Sequence, residues 1–190
     1  MRKLLHQRQN HGLTLIELLI ALSITALILG QAVPSFNRII TNNLSIQRAN
    51  WLIGAVNFSR HAAITTGSMV TLCAASGSHC GRDWNQGILV FTDMNADGHL
   101  NGEDRVVKKL IPPDDSGSVR WRSFRNRPYL QMTPMGFTNY QSGNFVYCPQ
   151  NKDLRYARQI VINMQGRARL NHAINTDGER IDRYGRLLRC

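Results

Sequence analysis

The first third of the chain carries two successive helical patterns, and the remainder abandons helical periodicity. Residues 13–33 form an apolar run of 21 residues interrupted by a single acid, Glu17. As a helix rising ~1.5 Å per residue, that run reaches roughly 30 Å, the thickness of a bilayer core. Beyond it, Ala49, Leu52, Ile53, Val56 and Ala63 recur at three- and four-residue steps, with Arg48, Asn50, Asn57 and Arg60 at the other positions. This spacing predicts that the helix continues to about Thr65 with one face packed. Pro34, which lacks an amide donor, predicts a bend where the helix leaves the membrane. After Gly67 the pattern changes to short apolar or alternating runs separated by Gly, Pro, Asn and Asp, at 69–73, 87–92, 105–111, 118–124, 130–133, 144–148, 158–163 and 167–171. These read as antiparallel strands covering the helix, and a helix followed only by strands gives an α+β class.

The apolar run is preceded by the short basic leader MRKLLHQRQNHG. Arg2, Lys3 and Arg8, without an acid nearby, predict a cytoplasmic N-terminus. An ionised Glu17 in lipid costs a few kcal/mol unless it is paired. The segment G-LTLIE followed by a long apolar helix resembles the class III signal of type IV prepilins and type II secretion pseudopilins, with Leu13 where that family more often has Phe or Met. The resemblance implies cleavage between Gly12 and Leu13 by a membrane prepilin peptidase, methylation of the new N-terminus, and pairing of Glu17 with the N-terminal amine of a neighbouring subunit. It also implies the type IV pilin-like architecture, a long helix packed on antiparallel sheets. The expected organisation is a leader at 1–12, a transmembrane and assembly half-helix at 13–34, and a periplasmic globular domain at 35–190 that includes the amphipathic half of the helix. The protein would sit in the inner membrane before assembly and in an extracellular or periplasmic filament afterwards.

About 157 residues remain beyond the apolar segment, suited to one domain. The cysteines, Cys73, Cys80, Cys148 and Cys190, all follow the anchor, on the side where disulfides persist. Four cysteines allow three pairings. The favoured one joins Cys73 to Cys80 around a short loop and Cys148 to Cys190, stapling the C-terminus to the sheet. In DMNADGHLNGED, oxygens at Asp93, Asn95, Asp97 and Asp104, with Gly98 between, stand at the spacing of a calcium loop. The flanks ILVF and RVVKKL read as strands rather than helices, and Asx turns with glycine account for the same residues. A metal-free hairpin connection is the favoured reading and calcium the alternative.

Charge is unevenly distributed. Residues 13–119 hold seven basic and eight acidic side chains, whereas residues 120–190 hold thirteen basic and four acidic. Twelve of those thirteen are arginine, whose planar fork of donors suits phosphate oxygens, so the excess points to a polyanion. RWRSFRNR predicts Arg120 and Arg122 on one side of a strand with Trp121 opposite, and Arg125 and Arg127 in the following turn. QGRARL predicts Arg167 and Arg169 on one face, just after the glycine turn at Gly166. Arg180, Arg183, Arg186 and Arg189 extend the basic set to the C-terminus. Tyr129, Tyr140, Tyr147, Tyr156 and Tyr184 are assigned to the core rather than to base stacking.

The GRAR segment, the acidic hairpin and the cysteine spacing together resemble the FimT/FimU/GspH group along almost the whole chain. GRAR itself is similar to the GRxR motif of its DNA-binding FimT members. That resemblance implies sequence-independent DNA contact at Arg167 and Arg169 in natural transformation, with major and other minor pilins as partners. The alternative it leaves open is a structural minor pilin or secretion pseudopilin that primes filament assembly without touching DNA. No G-x-S-x-G, H-E-x-x-H or G-x-x-x-x-G-K-[ST] segment occurs, and the six histidines are scattered, with His61 read as solvent-facing, so no enzyme and no cofactor are expected.

Overall fold

The structure is a computed structural model that describes residues 14–113 and 117–190. Gly12 and Leu13, the expected cleavage site, lie outside those residues. Helix α1 spans Leu15–Thr66 and is continuous through position 34. Its start is fixed by a capping box: the amide and hydroxyl of Thr14 each donate to Glu17 Oε2 at 3.0 Å, and the amide of Glu17 donates back to Thr14 Oγ1 at 3.3 Å. Glu17 therefore has a local role in nucleating the helix that carries it. Across residues 15–29 the large apolar side chains are exposed, and α1 is long and apolar enough, by length and composition, to cross a membrane.

Residues Thr41–Cys190 form a separate compact unit. Within it, α1 buries Ser45, Arg48, Ala49, Leu52, Ala55, Val56, Ser59, Ala62 and Ala63 at three- and four-residue steps. Most of these are small, which lets the sheets approach the helix closely. Arg48, expected among the solvated positions, is only 2% exposed: it donates to Pro113 O at 3.2 Å and stacks on Trp51.

Two antiparallel sheets complete the unit. In the first, β1 (Val70–Ser76) is central, flanked on one side by β3 (Ile88–Thr92) and then β4 (Val106–Leu110), and on the other by β6 (Tyr129–Met132) and the short β2 (His79–Gly81). β1 is buried over six consecutive residues because both its faces are covered. Val70, Leu72 and Ala74 join the main core with α1, whereas Cys73 and Ala75 pack with Leu89 and Phe91 in a second cluster that Leu100 and Tyr129 cover. β2 was not legible as a strand, since its three residues pair with β1 only where the chain doubles back at the Cys73–Cys80 disulfide.

The second sheet has the order β5 (Ser118–Ser123), β7 (Gly143–Cys148), β8 (Arg158–Ile162), β9 (Ala168–Asn171). Its inner face contributes Trp121, Phe145, Ile160 and Leu170 from one cross-strand row. Trp84 closes over this row, with its ring 4.9 Å from Phe145 and 5.8 Å from Trp121. The C-terminal segment is tied back by the Cys148–Cys190 disulfide. The result is the expected α+β arrangement of a long helix on antiparallel sheets.

Candidate nucleic-acid interface

One local design recurs along the second half of the chain. At Thr133, Asn163, Asn175 and Asp182, a polar residue is followed three positions later by a glycine at φ between 72° and 77°. In each case the glycine amide donates to the carbonyl of the first residue. The fifth residue donates its amide to the first residue's side-chain oxygen and accepts from its amide through its carbonyl. This is a type I turn closed by a left-handed glycine, which only a residue without Cβ adopts cheaply. The repeat is too short to show as periodicity in the sequence.

The electrostatics of the fifth position separates these turns. In the last turn it is Arg186, whose Nε and NH2 donate to Asp182 at 3.0 and 2.9 Å. The amides of Arg186 and Tyr184, together with that guanidinium, hold the Asp182 carboxyl below the usual carboxylate range. In the turn at 175 the fifth residue is Glu179, which accepts from the Asn175 amide group. In the turn at 163 it is Arg167, and the first residue is the neutral Asn163. Arg167 and Arg169 are both exposed, and no carboxylate among the described residues pairs with either.

The sheet register adds to this pair. Arg169 stands opposite Val161, Val161 opposite Asn144, and Asn144 opposite Arg122, so Arg122 and Arg169 lie on the same outer face, three strands apart. At about 4.8 Å per strand they are roughly 14 Å from each other. Arg120 lies one row along on that face, while Trp121 points inward. Between residues 120 and 173 the sequence has one acid, Asp153, and Arg155 already holds it at 2.7 Å.

The turn at 163 is braced from below by a residue that the sequence pattern left on the helix surface. Arg60 of α1 donates from Nε to Gly136 O at 2.9 Å. That carbonyl lies 2.5 Å from where a Cβ on Gly166 would stand, with Met132 and Arg60 close behind. Gly166 is thus both a turn residue and the point where the loop seats on its neighbour. No sequence signal marked Arg60, because its role depends on the Gly136 carbonyl, 76 residues away in the turn at 133, on which the turn at 163 seats.

The remaining basic residues are differently used. Arg125 stacks on Phe124 and Arg127 on Tyr129 in and beside the 3-10 turn Phe124–Asn126. Beyond the far end of β9 from Arg167, Arg180 donates to His172 O while its Nε is buried. Arg183 donates to the Tyr184 hydroxyl and stacks on that ring, and Arg189 is exposed beside the terminal disulfide. Arg158 faces inward, where burial, reinforced by nearby Arg180, pushes its guanidinium down to about 10. It donates to Asn42 Oδ1 at 2.6 Å. The tyrosines do not behave as one class: Tyr147 is buried, but Tyr140 and Tyr184 are 82% and 65% exposed. His61 is exposed on α1.

In the acidic hairpin the oxygens face protein donors. Asp93 is fully buried and accepts from Thr71 Oγ1, Gln131 Nε2 and the amides of Asp97 and Gly98. Asp104 accepts from the amides of Met94 and Asn101, and Asn95 Oδ1 from that of Asp97. Asp97 accepts from Asn101, His99 and Asn95, which lower its carboxyl below the ordinary range. Among the described residues no group of three or more His, Cys, Asp or Glu side chains is arranged to hold a metal.

Residues 48–166 match the family model described as type II transport protein GspH. The chain belongs to the GspH family. Residues 7–30 also match the prokaryotic N-terminal methylation motif, so the family's association with prepilin peptidase and with other pilins applies to this GspH-family protein in general terms, as does a minor pilin or pseudopilin role. Two crystal forms of the type IV minor pilin FimU of Pseudomonas aeruginosa share its fold, each at 18% identity. One has a TM-score of 0.53, covering 68% of this chain and 89% of FimU, and the other 0.50, covering 65% and 90%. The minor pseudopilin EpsH of the Vibrio cholerae type 2 secretion system aligns at 10% identity and TM-score 0.46, over 65% of this chain and 92% of EpsH. No curated protein matches the sequence.

Proposed function

We propose that this GspH-family protein is a minor pilin of a type IV filament that grips DNA without sequence preference through the turn at Asn163–Arg167 and the adjoining strand, supporting DNA uptake as the FimT-like motif implies. The observation that carries this reading is the exposed pair Arg167 and Arg169, which no carboxylate among the described residues engages, on a sheet face shared with Arg122 and Arg120. The roughly 14 Å between Arg122 and Arg169 is near the ~12 Å width of the B-DNA major groove, so these guanidiniums can meet phosphates on both of its edges. Contacts of this kind position a protein on DNA but read no sequence. α1, which supplies the scaffold, is occupied with the core and offers no recognition helix.

In this reading the protein is anchored in the inner membrane before assembly, with Thr41–Cys190 on the periplasmic or outer side, and the methylation motif and the apolar half of α1 support it. The deciding experiment titrates the full-length protein in detergent with duplex DNA at several salt concentrations, beside Arg167→Ala/Arg169→Ala. The expected wild-type affinity falls steeply with salt, and the double variant loses about two phosphate contacts, flattening the log–log slope by ~1.8. Binding unchanged in a variant of equal thermal stability would leave the structural reading, in which these arginines serve neighbouring subunits.

A further inference from the structure

Beside the turn at 163 lies a cleft of about 590 Å³, walled by Phe124, Arg125, Arg127, Tyr140 and Met164. Its size is in the range of small-ligand sites. The walls are held as one frame: the Phe124 amide donates to Ser142 O at 2.8 Å, and the Thr138 amide to Met164 O at 3.0 Å. Met164 belongs to the same turn as Arg167, so cleft and turn are continuous.

Two features set this cleft apart from an ordinary loop junction. Phe124, Tyr140 and Met164 are 58%, 82% and 55% exposed, whereas aromatic side chains are ordinarily drawn into the core. Arg125, Asn126 and Tyr140 also adopt φ of 60°, 52° and 52°, a backbone region that bulky side chains seldom enter. These loops therefore hold exposed aromatic rings beside two arginines, one of which, Arg125, lies over the Phe124 ring at 5.5 Å, and no acid lines the cleft.

Aromatic walls with cations at the rim are the elements of a single-strand binding platform, in which bases stack and arginines follow the backbone. We infer that the cleft takes a nucleobase of single-stranded DNA against Phe124 and Tyr140, with Arg125 and Arg127 on the flanking phosphates. Bases of an intact duplex are stacked inside the helix and cannot enter, so the site selects ends, gaps and unpaired segments. This rests on the DNA reading above and adds a strand preference to it. Charge calls for an anionic occupant, because two arginines and no acid line the cleft, and the two exposed rings favour one that also presents a flat base.

The test uses the full-length protein in detergent with a labelled single-stranded oligonucleotide carrying 2-aminopurine, and with the corresponding duplex. Phe124→Leu/Tyr140→Asn removes the rings while keeping at position 140 a residue that tolerates the left-handed backbone. The expected result is about a tenfold loss on the single strand, less than twofold on the duplex, and 2-aminopurine quenching that disappears in this variant. Arg167→Ala/Arg169→Ala weakens both substrates. Should the aromatic variant weaken both equally or neither, or the wild type leave 2-aminopurine unquenched, the base site is wrong. The DNA reading survives that result if the arginine variant still loses binding. A wild type that binds neither substrate overturns both. Unchanged single-strand affinity with lost binding to another pilin assigns the cleft to a protein.

Discussion

Asp182 holds Arg186 through two charge-assisted hydrogen bonds, in a turn whose backbone bonding matches that of the turn in which neutral Asn163 offers Arg167 no carboxylate. The two turns share geometry and differ in charge. The recurrence of Gly-Arg in a sequence therefore does not by itself identify a phosphate-binding turn. The side chain three positions before the glycine determines whether the arginine is available.

This contrast makes the charge transferable. Asn163→Asp should keep the turn, because Asp182 already occupies the equivalent place, yet capture Arg167. DNA affinity should fall several-fold, and the slope of log K against log salt should flatten by ~0.9, the equivalent of one phosphate contact. Asp182→Asn should release Arg186 and not weaken binding. Titrations of both variants at four or more salt concentrations measure these slopes. At neutral pH Asp182 remains ionised. Its lowered pKa contributes stability that is present above the usual carboxylate range and is lost as pH falls through the lowered value.

Gly166 and Gly178 offer a matched pair, with φ of 72° and 77°. A Cβ on Gly166 would stand 2.5 Å from Gly136 O, whereas one on Gly178 meets nothing within 4 Å. Gly178→Ala should cost only the left-handed backbone penalty, about 1–2 kcal/mol. Gly166→Ala adds overpacking and should cost about 3 kcal/mol or more. Denaturant melts of both variants give the comparison, and a smaller loss for Gly166→Ala would show that the seat on Gly136 yields.

Much of this was written in local patterns. The helix announced itself by apolar residues at three- and four-residue steps, and eight of the strand positions by short apolar runs between Gly, Asn and Asp. The outward placement of Arg120 and Arg122 followed from Trp121 between them. What was not legible depends on contacts distant in sequence. The strand β2 exists only because β1 offers it partners, and Arg60 braces a turn that approaches it only in the folded chain. Arg48 resembles any surface arginine on a helix until Pro113 and Trp51 close over it. Likewise, the exposed ring of Tyr140 could not be separated from the buried ring of Tyr147 by composition.

The acidic hairpin should respond to mutation as a hydrogen-bonded junction. Asp93→Ala would orphan the buried Thr71 hydroxyl, the Gln131 amide group and the Gly98 amide. At about 1–3 kcal/mol for each unsatisfied buried group, a loss of at least 3 kcal/mol is expected in a denaturant melt. Because the four candidate oxygens already accept from protein donors, millimolar calcium should leave the melting temperature of the wild type unchanged. An upward shift with calcium that disappears in Asp97→Asn would instead assign the loop to the cation.

The Cys148–Cys190 disulfide closes a sequence separation of 42, against 7 for Cys73–Cys80. On the chain-entropy account, the longer loop contributes about 4 kcal/mol and the shorter about 2.5. The segment it secures is otherwise held by a few bonds, among them Arg180 N to Leu154 O and Asn171 Nδ2 to Ile181 O. Cys148→Ser/Cys190→Ser should therefore destabilise more than Cys73→Ser/Cys80→Ser, with amide exchange rising first across residues 173–190. The turn at Asn163–Arg167 lies at the opposite end of β9 and is braced by Arg60 and Gly136 rather than by the tail. DNA affinity of the folded Cys148→Ser/Cys190→Ser variant should thus remain within twofold of wild type. A large loss of affinity with the domain still folded would move the DNA contact from Arg167 and Arg169 to the arginines of the C-terminal segment.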